Sequence, residues 1–397
     1  MKKKLIHLFQ YKFTNHDYES REYHDLEKKF KIKVLVHDLS KIFFPNFDYI
    51  KAKSLKRSKK FKSLKNWLKS LDKLKKTKNA VIVNELGYDS FKSLIIHYYL
   101  KKSNLPMFVD TNIGVVSEKD FNMFRINANT ILDKFKRILS NNYLLLYFLK
   151  TKLLKLFFFF IKFKKVMMLK SGSNSIDLPF RYNEKKIIKV HSRDYSNSLI
   201  YNKKKFTKKN KPIIFLDATF PYFLGDEELY YRRKMKLDLD KYFKEHNDFF
   251  DKLEDFFSTK VIITPHPKTR GTPNPFFKKR SIDSRRDATL KLTPSSLLVL
   301  CGMYVSTAIS FAISSYKPIF FLVSDQMKSN YEKQIKTVNK TSKLIGRSLL
   351  DINKFQKEEI SNKMTVNKKL YNNYKYRFLT SKKLPKDPNH IIFGKFL

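Results

Sequence analysis

Short apolar runs, each closed by an acid, a histidine or a turn and most followed by a helical stretch, recur along this chain and limit its fold more than any other feature. In the first half Ile32–Val36 runs into His37-Asp38-Leu39-Ser40, Ala80–Val83 into Glu85-Leu86-Gly87, and Met107–Val109 into Asp110. A lysine-rich helical stretch over 51–78 and a helix over 90–100 lie between them. In the second half Ile213–Leu216 is closed by Asp217, and a helix with apolar residues at Phe249, Phe250, Leu253 and Phe256 follows. Then come Val261–Thr264 running into Pro265-His266-Pro267-Lys268, the run Leu297–Cys301, a helix opening over Ser306–Ala312, and the run Pro318–Val323. Strands that are apolar throughout are buried on both faces, and their alternation with helices predicts parallel sheets. The expected class is α/β, with two Rossmann-like doubly wound domains facing a cleft.

A length of 397 residues suits two domains at roughly 150–200 residues each. The reading places an N-terminal Rossmann-like domain at 1–170, a connector at 171–210, a C-terminal Rossmann-like domain at 211–350, and a helical tail at 351–397 that packs back across the domains. With 42% hydrophobic and 15% aromatic residues the chain has material for buried cores, which excludes global disorder.

Several chemistries are excluded by residue usage. The eight glycines are too far apart for a dinucleotide fingerprint or a Walker A loop. Cys301 is the single cysteine, so no intrachain disulfide and no multi-thiolate metal centre can form, and a reducing compartment is the simplest reading. None of the nine histidines falls in a metal-binding helical spacing, and no metal or cofactor is expected. The formal charge of +47 points by itself to nucleic acid, anionic lipid or acidic substrates. The excess is mostly lysine, alongside abundant Phe, Ile, Asn and Tyr, which is what an AT-rich genome produces. Where the charge is concentrated therefore says more than its sum.

One such concentration is 131–170, where lysines are interleaved with leucines and phenylalanines in a basic amphipathic segment. It fits an anionic membrane surface, with lysines reaching headgroups and Phe and Leu entering the boundary; a partly buried helix with solvated lysines is the plainer alternative. The start MKKKLIHLFQYKF has a basic opening but no adequate apolar core or cleavage site, so secretion is disfavoured. No uncharged apolar stretch reaches the roughly 18 residues needed to span a bilayer. The expected location is cytoplasmic, peripheral on the inner membrane.

His266 ends a buried strand, where open α/β sheets bind ligands, and two prolines stiffen the backbone around it. It could serve a nucleotide phosphate or be an ordinary loop histidine. Ser306 and Thr307 put two hydroxyls and free amides at a helix start, the usual place for a phosphate or carboxylate, though plain capping explains either one alone. Asp217, with Asp226, Glu227 and Glu228, forms an acidic cluster suited to ribose or sugar hydroxyls; acids at a loop and helix start are the bland equivalent. Glu85, following its strand, is the candidate base for an acceptor hydroxyl, with Asp110 and Asp38 as rivals by the same logic.

Phe215-Leu216-Asp217, Pro221, Asp226, His266-Pro267-Lys268, Ser306–Ala312 and Lys317-Pro318-Ile319 together resemble the C-terminal half of GT-B glycosyltransferases, in particular bacterial capsule and lipopolysaccharide enzymes of the sialyltransferase-like and Kdo transferase-like kinds. His37-Asp38-Leu39-Ser40 resembles a strand end of such proteins. The resemblance covers mainly 190–325 and implies a metal-independent transferase with a nucleotide-sugar donor, a CMP-linked acidic sugar among the choices, and a glycan or lipid-linked acceptor. It implies that the C-terminal domain holds the donor and the N-terminal domain the acceptor. Donor contacts would fall to His266, Pro267, Lys268, Ser306 and Thr307, with Asp38 and Asp217 as further substrate contacts. The acidic-acidic-glycine motif that carries the base in bacterial sialyltransferases is absent, and Glu85-Leu86-Gly87 is its loose counterpart. Two other readings remain: a non-catalytic polysaccharide-assembly protein, and a basic nucleic-acid-binding protein tracking phosphates with 51–78 and 201–211. No recognisable DNA or RNA module is present, and no specific nucleic acid is expected.

Overall fold

The computed structural model describes residues 3–46, 53–77, 79–111, 142–173, 178–201, 211–217, 237–266, 274–277, 279–285, 287–302 and 306–397. Two sheets organise them. The first has seven strands: β1 (Lys4–Phe9), β2 (Lys33–Asp38), β3 (Ser58–Lys60), β4 (Ala80–Glu85), β5 (Met107–Asp110), β6 (Lys162–Lys170) and β7 (Arg181–Lys189), in the order β3-β2-β1-β4-β5-β6-β7. The second has six: β8 (Ile213–Leu216), β9 (Val261–Thr264), β10 (Ser281–Ile282), β11 (Leu298–Cys301), β12 (Ile319–Val323) and β13 (Leu349–Asp351), in the order β10-β9-β8-β11-β12-β13. Every pairing in both sheets is parallel. The two Rossmann-like α/β sheets read from the strand pattern are thus present, each reversing direction between its first and fourth strands.

β1 was not anticipated as a strand, yet it is the centre of its sheet. Phe9 stands in register with both Asp38 and Glu85, so three strand ends meet at one point. Its apolar stretch is short and lysine-flanked, which hides it in a linear reading, but Leu5, Ile6, His7 and Leu8 are all buried. The amphipathic segment also divides: the helix Asn142–Phe160 ends just before β6, in which Val166 and Met168 turn inward at strand spacing and Phe163 is buried as well. Residues 131–141 lie outside the described residues. In the lysine-rich stretch, β3 precedes the helix Leu64–Thr77, whose buried Trp67, Leu71 and Leu74 repeat at helical spacing.

Residues 181–189, assigned by sequence to the connector, form β7, the edge of the first sheet. The exposed Arg181, Lys185, Lys186 and Lys189 along it discourage further strand addition. β13, an edge strand of the second sheet, straddles the boundary read at 350/351, and the tail beyond it ends with the helix Asn389–Gly394 back on the first half. There Phe393 meets Phe108 edge-on, with ring centroids 5.0 Å apart. The two sheets are each covered on both faces, and four buried clusters fill the layers.

Candidate functional site

The carboxyl ends of both sheets open onto one cavity of 1310 Å³. Its first-half wall includes Gln10, Arg21, Glu85 and Asp110; its second-half wall includes His266, Ser306 and Thr307, and Arg193 and Asp194 stand between them. A cleft at the reversal point of a doubly wound sheet is where such folds take ligands.

Glu85 ends β4 and is the hub of the first wall. Arg21 grips its carboxylate with Nη2 at 2.7 Å and Nε at 3.1 Å, Arg193 donates to it at 2.6 Å, and His7 Nε2 lies 3.0 Å away. Burial alone would raise the Glu85 carboxyl, but the charges of Arg193 and Arg21 and the His7 hydrogen bond outweigh it and hold the group well below the usual carboxylate range. Burial lowers His7, whose Nε2 faces the Glu85 carboxylate and whose Nδ1 meets the Tyr23 hydroxyl. Arg193 also donates to Asp110 at 2.7 Å, so one guanidinium links the ends of β4 and β5. Burial disfavours its charge, and the attraction of Glu85 and Asp110 reverses that.

Glu85 thus lines the cavity, and the two guanidiniums that hold its carboxylate lower its affinity for a proton. The loop after it is built for close approach. The Gly87 amide donates to Gln10 Oε1 at 2.7 Å, and a Cβ at Gly87 would stand 3.0 Å from that same oxygen.

Asp38 is placed differently from the expectation. It is buried and absent from the cavity wall; its carboxylate accepts the Ser40 amide at 3.0 Å, the Ser40 hydroxyl at 2.6 Å and the Phe13 amide at 3.3 Å. Those bonds pin the loops after β2 and β1, which is a structural role. Asp217, too, does not line the cavity. Burial pushes its carboxyl up to about 8 against a partly opposing hydrogen bond with Asn274. Pro267, Lys268, Asp226, Glu227 and Glu228 lie outside the described residues.

His266, Ser306 and Thr307 do share the cavity. The strands that carry them are not neighbours, because β8 lies between β9 and β11. Thr264, Leu216 and Cys301 are in register, which sets the two strand ends about 10 Å apart, two ladder spacings. That separation fits one diphosphate or nucleotide moiety. The helix expected at Ser306 begins at Ile309 and spans six residues, preceded by a tight turn in which Ser306 Oγ accepts the Ala308 amide at 3.2 Å. So short a helix has little dipole. Cys301 is buried, and burial raises its thiol to about 11 despite a hydrogen bond from the Ser306 amide. It is inert as a nucleophile.

Arg193 and Asp194 escaped the sequence reading as site residues. They sit in His191-Ser192-Arg193-Asp194-Tyr195, which carries no familiar spacing. Asp194 lines the cavity and accepts a hydrogen bond from Thr307; burial raises its carboxyl, with that bond and Arg193 opposing. Among the described residues no group of three or more His, Cys, Asp or Glu side chains converges to hold a metal ion.

No protein-family model and no curated protein sequence matches the chain. Among solved structures, the wall teichoic acid polymerase TagF is similar over 100% of this chain and 88% of its own, at 11% identity and a TM-score of 0.47. UDP-GlcNAc 2-epimerase from Methanocaldococcus jannaschii is similar over 100% and 99%, at 12% identity and 0.42. The T4 phage β-glucosyltransferase, solved in complex with its UDP-glucose substrate, is similar over 94% and 95%, at 9% identity and 0.33.

Proposed function

We propose that this chain is a GT-B glycosyltransferase that moves a sugar from a nucleotide-sugar donor to a glycan or lipid-linked acceptor of a surface polysaccharide. The observation that carries the reading is a cavity into which both sheets open, with His266, Ser306 and Thr307 on one wall and charged groups of the first half on the other. His266 and the two hydroxyls receive the donor phosphates, and the first-half wall receives the acceptor. Negative charge grows on the leaving phosphate as the glycosidic bond breaks, so donors aimed there stabilise the transition state more than the bound donor. Asp194 takes the acceptor proton in this reading. It is a cavity carboxylate whose proton affinity is raised, whereas Glu85 and Asp110 serve to hold Arg193 in place.

The test has two stages. A thermal-shift screen with CMP, UDP, GDP and their sugars identifies the donor class, since a ligand bound only by the folded state raises Tm. With that donor, nucleotide release by His266→Ala should fall by on the order of 10²–10³, the scale of losing one such hydrogen-bond donor. Asp194→Asn should lose roughly two to four decades while still binding donor, and Glu85→Gln should lose less than Asp194→Asn. Donor binding with no turnover in the unaltered protein would leave the polysaccharide-assembly reading standing instead.

A further inference from the structure

The outer surface of the first half carries an apolar face that the cavity does not explain. On the helix Asn142–Phe160, Leu146, Leu149, Leu153, Leu156, Phe157 and Phe160 all face solvent, Leu146 at 66% and Phe160 at 65% exposure. At 100° per residue these six fall within one stripe, while Leu154 and Phe158 turn into the core. The neighbouring helix Phe91–Ser103 packs against it and presents a stripe of its own, Phe91, Ile95, Tyr98 and Tyr99. Two parallel stripes of this size exceed the scattered exposed apolar residues of an ordinary surface.

The charge on these two helices has one sign. Neither helix contains an aspartate or glutamate. Lys92, Lys101, Lys102, Lys150 and Lys152 are exposed on the two helices, and Lys162 and Lys164 follow on β6, where Lys165 pairs with Glu184 of β7 at 3.1 Å. Lys102 lies over the Tyr98 ring at 4.6 Å. Apolar residues ringed by lysines complement a bilayer whose headgroups are anionic and whose acyl region starts just below them. A protein partner of ordinary composition would bring its own cations to the rim.

We propose that these two helices seat the protein on an anionic lipid bilayer, Leu and Phe side chains entering the acyl boundary and lysines meeting the headgroups. Topology sets the orientation. Both helices begin at the carboxyl edge of the sheet, the edge on which the cavity opens, so the bilayer would lie beside the cavity mouth. Tyr88 connects the two: it lines the cavity and packs on Phe158, with ring centroids 5.5 Å apart. The docking claim stands on this surface alone and does not depend on the sugar-transfer reading.

The test is flotation of the purified full chain with phosphatidylcholine vesicles, with and without phosphatidylglycerol, and it reads binding rather than turnover. The chain should float with the phosphatidylglycerol vesicles and much less with the neutral ones, and salt should weaken the association. Leu149→Glu with Leu153→Glu, both on the exposed stripe, should lower the bound fraction at least about tenfold. Lys101→Glu with Lys150→Glu should do so by about tenfold with the apolar stripe intact, and circular dichroism checks that both variants remain folded. Absence of flotation with either vesicle, or folded variants that float as the unaltered chain does, would overturn the proposal. So would a concentration-dependent dimer in lipid-free sedimentation, lost in the leucine variant and accompanied by no flotation, which would assign the face to a second copy of the chain.

Discussion

Asp217 and Glu85 both close central strands, yet their surroundings move their protons in opposite directions. An aspartate in the unfolded chain titrates at about 3.9, whereas the folded Asp217 titrates at about 8. Between those values the native state holds a proton that the unfolded chain has released, so this group makes stability fall as pH rises through that window. Asp217→Asn removes the penalty. Thermal melts from pH 4 to pH 8, about the span between the two values, should decline less steeply for the variant, and its Tm should exceed that of the unaltered chain at the upper end. An unchanged slope would place the proton elsewhere. Glu85 works the other way: its ion pairs stabilise the fold above the ordinary carboxylate range and are lost only as pH falls through its depressed value. A strand-end acid was legible from sequence in both cases. Which one met cations and which met apolar walls was not, since Arg21 and Arg193 are 64 and 108 residues away from Glu85 along the chain.

At the scale of elements, the turn between β6 and β7 shows why a loop residue can matter as much as a strand. Gly172 adopts φ +60°, and a Cβ there would stand 2.2 Å from the Arg377 carbonyl oxygen. The Ser173 amide donates to that oxygen at 3.0 Å, and the Ser171 hydroxyl donates to the Phe378 carbonyl at 2.9 Å. The turn therefore clasps the returning tail, backbone against backbone. Gly172→Ala combines a left-handed backbone with a main-chain clash and should cost roughly 2–4 kcal/mol. Chemical denaturation measures this, and a midpoint within error of the unaltered chain would show that the tail can move aside. The strands and helices themselves were mostly legible, because apolar runs and helical spacing are local signals. β1, β7 and β13 were not, being short or rich in lysine, with their identity supplied by the neighbours they pair with.

For the molecule as a whole, the chain passes between the halves twice, through 190–193 and again through the tail. Asn389 ties the crossings together, its Oδ1 accepting the His191 amide at 2.8 Å and its Nδ2 donating to the His191 carbonyl at 2.9 Å. Beyond it, His390 donates to the buried Glu22 carboxylate from its amide at 2.9 Å and from Nδ1 at 2.6 Å. Ile392 and Phe393 then complete a core cluster that includes Leu5, Val36 and Phe108. Removing residues 388–397 would expose that cluster and leave Glu22 buried without these partners. The loss should be on the order of 5 kcal/mol, from two apolar side chains and one deprived carboxylate. A calorimetric scan should show the first half melting early and apart from the second; a single transition near the original Tm would refute the tail's role.

By itself the amino-acid sequence determined the class of the fold, because apolar runs buried on both faces must become parallel strands and the helices between them must cover the sheets. It also placed His266 at a strand end and Ser306 and Thr307 at a helix start, on the side where such sheets bind ligands. Tertiary structure decided the rest. Asp38 became a loop anchor, Glu85 an ion-pair hub, and Asp194 a raised carboxyl, although in sequence they are similar acids near the ends of elements. The physical reason is range. Strand and helix formation follow from contacts within a few residues, whereas the charge and solvation that set a carboxylate's chemistry come from groups that only the folded chain brings to its side.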